Sequence, residues 1–182
     1  MVIIKNYYYL YIEDLLQIDF INSKYNKKIN IIYRSKKKEK IYNILKLRQK
    51  CKAKKFKFFI ANNERLAKIC KADGLYISAS NKKRYYNNLA KIGSAHNIKE
   101  INEKISQNCK TVICSRLFST KCKKGFLGVP KFNLLTINTK VSLIPLGGIN
   151  FQNLLKLNIV KCEGFACLSV LKKKPAISSR LF

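Results

Sequence analysis

The chain has 182 residues, with 38 lysines and arginines against 9 aspartates and glutamates, a formal net charge of +29 and 47% hydrophobic residues. A chain of this length fits one domain, residues 1–182, with a real core, and two domains are disfavoured. No window approaches the roughly 18 uncharged apolar residues that a membrane span requires, and Lys5, Glu13 and Asp14 interrupt the greasy N-terminal stretch, so a soluble cytoplasmic protein is expected.

Short apolar runs alternate with helix-period segments along the chain, the pattern of βα units around a parallel sheet. Tyr7 to Ile12 reads as the first strand, with Asp14 to Ser23 as a short helical return. Ile29 to Tyr33 is the second strand. Glu39 to Lys55 reads as a helix, because Ile41, Ile44, Leu45, Leu47 and Cys51 recur at helical spacing. The third strand is Phe56 to Ala61, followed by a helix from Asn63 to Lys71, and the turn Ala72-Asp73-Gly74 leads to a fourth strand, Leu75 to Ile77. The polar run from Ser78 to Asn88 predicts a loop with at most a weak helix. Lys91 to Gly93 is a short fifth strand, Ile98 to Gln107 a helix capped by Asn97, and Thr111 to Phe118 the sixth strand. Val141 to Leu146 is the seventh, ending in Gly147-Gly148, and Phe165 to Leu171 the eighth, with Ser169 near its end.

Eight strands predict an α/β fold, a compact (β/α)8 TIM barrel, smaller than the roughly 200 to 250 residues usual for that architecture. Some helices must then be shortened. The weakest returns are Asp14 to Ser23, Tyr85 to Leu89 and Phe132 to Asn138, and the tail after Leu171 is short and broken by Pro175.

Seven cysteines, an odd number, show no CxxC pair and no histidine partner at zinc spacing, which argues against both a metal site and a disulfide framework. Cys114 and Cys167 fall inside apolar strand patterns, where a free thiol behaves as a small hydrophobe. The large positive charge prompts a nucleic-acid reading. The lysines are spread over the whole chain, however, which indicates compositional drift more than one basic face and disfavours nucleic acid as a partner.

In a β/α barrel the working residues lie at the C-terminal ends of the strands. That rule gathers Arg34, Ser35 and Lys36; Asn62 and Asn63; Ser78 to Asn81; Ser94 and His96; Lys121 to Lys124; Gly147 and Gly148; and Ser169. Cations, amides and hydroxyls dominate and no carboxylate is among them, so the rim suits anions. The Gly147-Gly148 turn leaves main-chain N–H groups unobstructed by any Cβ and, with the following helix N-terminus, can cradle a phosphate; it also serves as an ordinary tight turn.

The order of these segments resembles the thiamine phosphate synthase / TenI family. The matching pieces are IIYRSK, FFIANN, ADGLYIS, GSAHN, LFSTKCKKG, IPLGGIN and GFACLSVL, which together span about Tyr7 to Leu171. The resemblance implies an enzyme of thiamine biosynthesis that joins a hydroxymethylpyrimidine diphosphate to a thiazole phosphate. Diphosphate leaves first, and the thiazole nitrogen captures the pyrimidine-stabilised cation. It implies Arg34, Lys36 and Asn62 on the diphosphate, with Ser94 and Lys123 helping and Lys124 interchangeable with Lys123. It places the amides near Gly147-Gly148 and Ser169 on the thiazole phosphate.

The family's magnesium aspartates fall at Asn63 and Asn81, and an amide oxygen is a poor substitute for a carboxylate on Mg2+, so metal use is in doubt. Lys82, Lys83 or Arg84 could neutralise the diphosphate instead. The TenI-like tautomerase branch is similar around Cys122 to Gly125 but relies on a histidine where this chain has Arg116, a poor proton shuttle. His96, the only histidine, has no obvious carboxylate beside it and reads as structural or capping. A non-catalytic barrel that binds a phosphate of the same pathway, and a homo-oligomer, stay open.

Overall fold

The computed structural model describes residues 5–14, 18–19, 29–35, 39–120, 125–150 and 152–167. Eight parallel strands close into a ring in chain order: β1 (Tyr7–Ile12), β2 (Ile29–Tyr33), β3 (Lys57–Ala61), β4 (Gly74–Ile77), β5 (Ala90–Ala95), β6 (Thr111–Ser115), β7 (Ser142–Leu146) and β8 (Gly164–Cys167). β8 returns to β1 through the register Tyr8↔Phe165 and Tyr9↔Ala166, which leaves no free sheet edge. The expected barrel is therefore the observed one. β5 runs two residues further than the predicted strand, and β6 stops three residues earlier.

Both faces of every strand are covered, which explains why the strands read as continuous apolar runs instead of alternating ones. Tyr9, Tyr11, Ile32, Phe59, Tyr76, Ile92, Ile113, Ile144 and Ala166 fill the lumen. Their neighbours of opposite parity, such as Leu10, Ile31, Phe58, Leu75 and Val112, belong to the larger cluster shared with the helices.

Among the described residues, four α-helices surround the strands. α1 (Ile41–Ala53) buries Ile44, Leu47 and Cys51, while Ile41, expected in the same stripe, is half exposed. α2 (Glu64–Ile69) is only six residues long and is capped by Asn63, whose Oδ1 accepts from the Leu66 N–H at 2.9 Å. α3 (Ile98–Ser106) is capped by Asn97 as predicted, with its Oδ1 accepting from Glu100 N–H at 2.9 Å. α4 (Gly128–Ile137) corrects the expectation of a vestigial return at Phe132 to Asn138. It starts four residues earlier, tolerates Pro130 in its first turn and buries Phe132 completely.

The shortening expected at Tyr85 to Leu89 is observed, and a further one falls between β7 and β8. Residues 81–86 are irregular, and a 3-10 helix at Leu154–Ile159 replaces a full helix between β7 and β8. Of the predicted return at Asp14 to Ser23, only Asp14, Ile18 and Asp19 are described, with Ile18 fully buried. The tail after Leu171 lies outside the described residues. The six described cysteines are free, and burial pushes the Cys51, Cys114 and Cys167 thiols up to about 12.

Candidate phosphate-binding rim

Arg34 continues β2 past its last residue. Its N–H donates to Ile12 O at 2.9 Å, and the parity of Asn30 and Ile32 carries it to the lumen side of the rim, where it is exposed. Beneath it, Tyr11 Oη donates to Tyr76 Oη at 3.1 Å, and the two rings meet edge to face at 5.5 Å. Burial, with the Tyr76 ring beside it, holds the Tyr11 hydroxyl well above its ordinary range, and the Arg34 charge pulls the other way. The mouth therefore has a buried aromatic floor.

On the β3–β4 side, Asn62 and Asn81 form one hydrogen-bonded unit with Ser78 and Tyr85. Asn62, in the left-handed region at φ 55°, donates from Nδ2 to Ser78 Oγ at 2.9 Å. Its Oδ1 accepts from Ser78 N–H and from Asn81 Nδ2, each at 2.9 Å. Asn81 Nδ2 also donates to Tyr85 Oη at 2.9 Å, and Asn81 Oδ1 accepts from Lys83 N–H at 2.9 Å. Asn63 is the cap of α2, as above.

Two open cavities meet here, sharing Asn63, Arg65 and Ile69. One, of about 640 Å³, includes Arg34 and Ser35; the other, of about 540 Å³, includes Asn62, Lys68, Lys83 and Tyr85. The expectation of a rim without carboxylates is corrected. Glu64 and Glu100 sit in the first turns of α2 and α3, where a carboxylate suits the helix dipole, and Glu39 borders the larger cavity. Two are paired: Glu64 with Lys68 at 2.8 Å and Glu100 with His96 Nδ1 at 2.9 Å. Burial raises the Glu100 carboxyl, and the His96 ring, the His96 N–H and the Asn97 amide more than offset it, leaving it below the usual range. His96 thus has a carboxylate partner after all, four residues on, in a capping arrangement.

Ser94 lies inside β5, not after it, on the lumen side in phase with Ile92. Opposite the asparagines, Gly147 and Gly148 adopt φ 98° and 71°. A Cβ on Gly148 would stand 2.5 Å from the carbonyl oxygens of both Phe118 and Ser119. The carbonyl oxygens of both glycines are turned to protein partners: Gly147 O accepts from Phe118 N–H at 3.1 Å, and Gly148 O from Asn153 Nδ2 at 2.7 Å. The turn is thus latched to the loop after β6 on one side and to the 3-10 helix on the other. Because that segment is a six-residue 3-10 helix, the helix-end contribution expected at this turn is weaker than the sequence suggested. Arg116 follows β6, donates from Nε to Gly125 O at 3.0 Å and lays its stem against Gly147.

Lys36, Lys123, Lys124 and Ser169 lie outside the described residues. Of the residues the sequence did not single out, Arg65 borders both cavities, and Lys104 and Gln107 hold the loop after β4 from below. Lys104 was detectable as a lysine in the apolar stripe of α3, three residues after buried Ile101.

Magnesium does not fit the donors at 63 and 81. Both are neutral amides whose oxygens already accept main-chain N–H groups, and among the described residues no cluster of three or more His, Cys, Asp or Glu could hold a metal. No described helix is long and apolar enough to cross a membrane.

The family model described as thiamine monophosphate synthase matches residues 23–171, more than four-fifths of the chain. The chain belongs to the thiamine monophosphate synthase family. Membership places it in thiamine biosynthesis. It is 26% identical over 152 residues to a thiamine-phosphate synthase of Clostridioides difficile (strain 630), covering 79% of this chain and 72% of that protein. In structure it is similar to the thiamine phosphate pyrophosphorylase from Pyrococcus furiosus, with a TM-score of 0.77 at 17% identity, covering 97% of this chain and 93% of that one. The corresponding protein from Bacteroides thetaiotaomicron gives 0.67 at 14% identity with the same coverage. At these identities the structural likeness carries the barrel alone.

Proposed function

We propose that this synthase-family barrel joins a hydroxymethylpyrimidine diphosphate to a thiazole phosphate, releasing diphosphate and forming thiamine phosphate. The observation that carries the reading is that one closed barrel of this family gathers Arg34, Asn62, Ser94 and the Gly147-Gly148 turn at the same end. Arg34, with Arg65 at the junction of the two cavities, offers planar donors to the diphosphate. The latched glycine turn would hold the thiazole phosphate on the far side of the mouth.

The chemistry needs no general base. The bond from the pyrimidine methylene carbon to oxygen breaks and its electron pair leaves with diphosphate. The thiazole nitrogen lone pair then forms the new carbon–nitrogen bond, and the positive charge ends on the thiazolium ring. What the protein must supply is a place for the departing polyanion and a water-poor floor, where fixed charges act more strongly than in water. Tyr11 and Tyr76 make such a floor. A lone histidine already paired with Glu100 is no obstacle to this reaction, whereas a tautomerase would need a proton shuttle at Arg116, which is engaged with Gly125 O.

The test is a coupling assay with purified protein and both substrates, with thiamine phosphate read by mass in one arm with Mg2+ and one with EDTA. Product in either arm is expected. No product in both arms, with both ligands still binding by calorimetry, overturns the synthase reading in favour of a non-catalytic barrel.

A further inference from the structure

We infer that this barrel holds diphosphate with protein cations in place of a divalent metal, and that Lys83, on a loop clamped from beneath by Lys104 and Gln107, joins Arg34 and Arg65 in supplying the charge. The inference rests on the diphosphate-binding reading above.

The orientation of the amides is fixed by main-chain donors. A backbone N–H can only donate, so Ser78 N–H identifies the acceptor end of Asn62, and Lys83 N–H identifies that of Asn81. Asn81 must then present its NH2 group to Asn62 Oδ1 and to Tyr85 Oη. A carboxylate at 81 has no proton to give and would oppose an oxygen that Ser78 holds in place. Asn81 is therefore a working member of the network, one that an aspartate could not replace without rearrangement.

The same residue is anchored from the other side. Lys104, fully buried, donates from Nζ to Asn81 O at 2.8 Å and to Gln107 Oε1 at 2.9 Å. Gln107 Nε2 donates to Asn81 O at 2.9 Å and to Lys83 O at 3.0 Å. Three hydrogen bonds from Lys104 and Gln107, at the C-terminal end of α3, thus fix the main chain of residues 81 and 83, a fourth ties the two side chains together, and Lys104 brings a buried positive charge beneath the loop. Above, the Lys83 ammonium lies 5.5 Å from the centroid of the Tyr85 ring and borders the same cavity as Asn62, Asn63 and Arg65. Because Glu64 pairs with Lys68, the surplus cations of that cavity are Lys83 and Arg65. Of the three cations the sequence offered at 82–84, Lys83 is the one that borders it.

The experiment is calorimetric titration of inorganic diphosphate into the full chain, in EDTA and again in Mg2+. Binding is expected in EDTA. Lys83→Met, an exposed position that should not disturb folding, is expected to weaken it about tenfold or more, the scale of a lost charge-assisted contact. Lys131→Met, on the exposed side of α4, removes the same unit of charge and should change affinity less than about twofold. Lys104→Met should weaken binding with Lys83 still in place. Binding that requires Mg2+, or that Lys83→Met leaves unchanged, overturns the inference while the synthase reading stands on its own product assay. No diphosphate binding in either arm overturns both.

Discussion

Replacing Gly148 by alanine tests whether the rim loop after β6 is seated on the glycine turn. The new Cβ would stand 2.5 Å from two carbonyl oxygens, against an ordinary contact of 3.4 Å or more, so the loop must retreat by 0.9 Å (3.4 − 2.5) or the turn must open. The positive φ adds roughly 1–2 kcal/mol of left-handed strain. Overpacking against a latched backbone adds roughly 1–3 kcal/mol, including the Phe118–Gly147 hydrogen bond that holds the seam. The sum is about 4 kcal/mol, a fall in Tm on the order of 10 °C for a domain of this size. Gly125→Ala is the internal reference. Gly125 also has a positive φ, 79°, but among the described residues a Cβ there meets nothing within 4 Å, so only the strain of roughly 1–2 kcal/mol remains. Urea unfolding followed by circular dichroism measures both, and titration with inorganic phosphate checks whether Gly148→Ala also weakens anion binding. If Gly148→Ala costs no more than Gly125→Ala, the loop is not seated on this turn and the latched phosphate site is wrong.

Asn81→Asp is expected to cost about 2–3 kcal/mol, because it removes two donated hydrogen bonds and sets one acceptor against another, whereas Asn63→Asp keeps the helix cap and stays within about 0.5 kcal/mol; chemical denaturation compares them. Asn97→Ala should lower stability by about 1 kcal/mol through the lost cap of α3, read as a shift in urea midpoint. Glu100 has a folded value below its unfolded one of about 4.3, so its stabilising share is present above that pH and is lost as pH falls through the lower folded value. The stability gap between the wild type and Glu100→Gln should therefore close on acidification, as measured by urea midpoints across pH 2 to 7 (roughly the carboxylate range). Tyr11→Phe should cost about 1–2 kcal/mol by stripping the buried Tyr76 hydroxyl of its partner, seen as a lower Tm.

Much of the barrel was legible because buried strands announce themselves. Ile29–Tyr33 and Thr111–Ser115 are apolar on both faces, bounded by charge and turn residues, and no helix of ordinary amphipathicity has that pattern. α4 was underestimated because GVPKFNLLTI is apolar nearly all round and carries a proline that reads as a break, although a first-turn proline lacks only an N–H that the helix does not use. Position relative to the rim could be read for Arg34, Asn62 and the glycine pair, since strand ends fix it. Partnership could not. That Glu100 reaches back to His96, or that Lys104 rises under Asn81, depends on a helix packing beside a loop distant in sequence, and no spacing rule reports that.

The same contrast explains why asparagine suits positions 63 and 81 in this chain. A bare carboxylate at 63 would stand at the junction of cavities bordered by Arg65, Lys68 and Lys83, and Lys68 already draws in Glu64 at 2.8 Å and holds that carboxyl below its usual range. In a chain with 38 basic and 9 acidic residues, an acidic side chain at the rim meets an ammonium group before it meets a metal ion, and the pair it forms removes two charges from the site at once. A metal-binding aspartate and a lysine-rich rim therefore compete for the same electrostatic role. An amide avoids the competition: Asn63 caps α2 and Asn81 ties the loop to Asn62 without neutralising Lys83. On this argument the asparagines and the cations at the rim act together, and both would have to change for the barrel to take a metal.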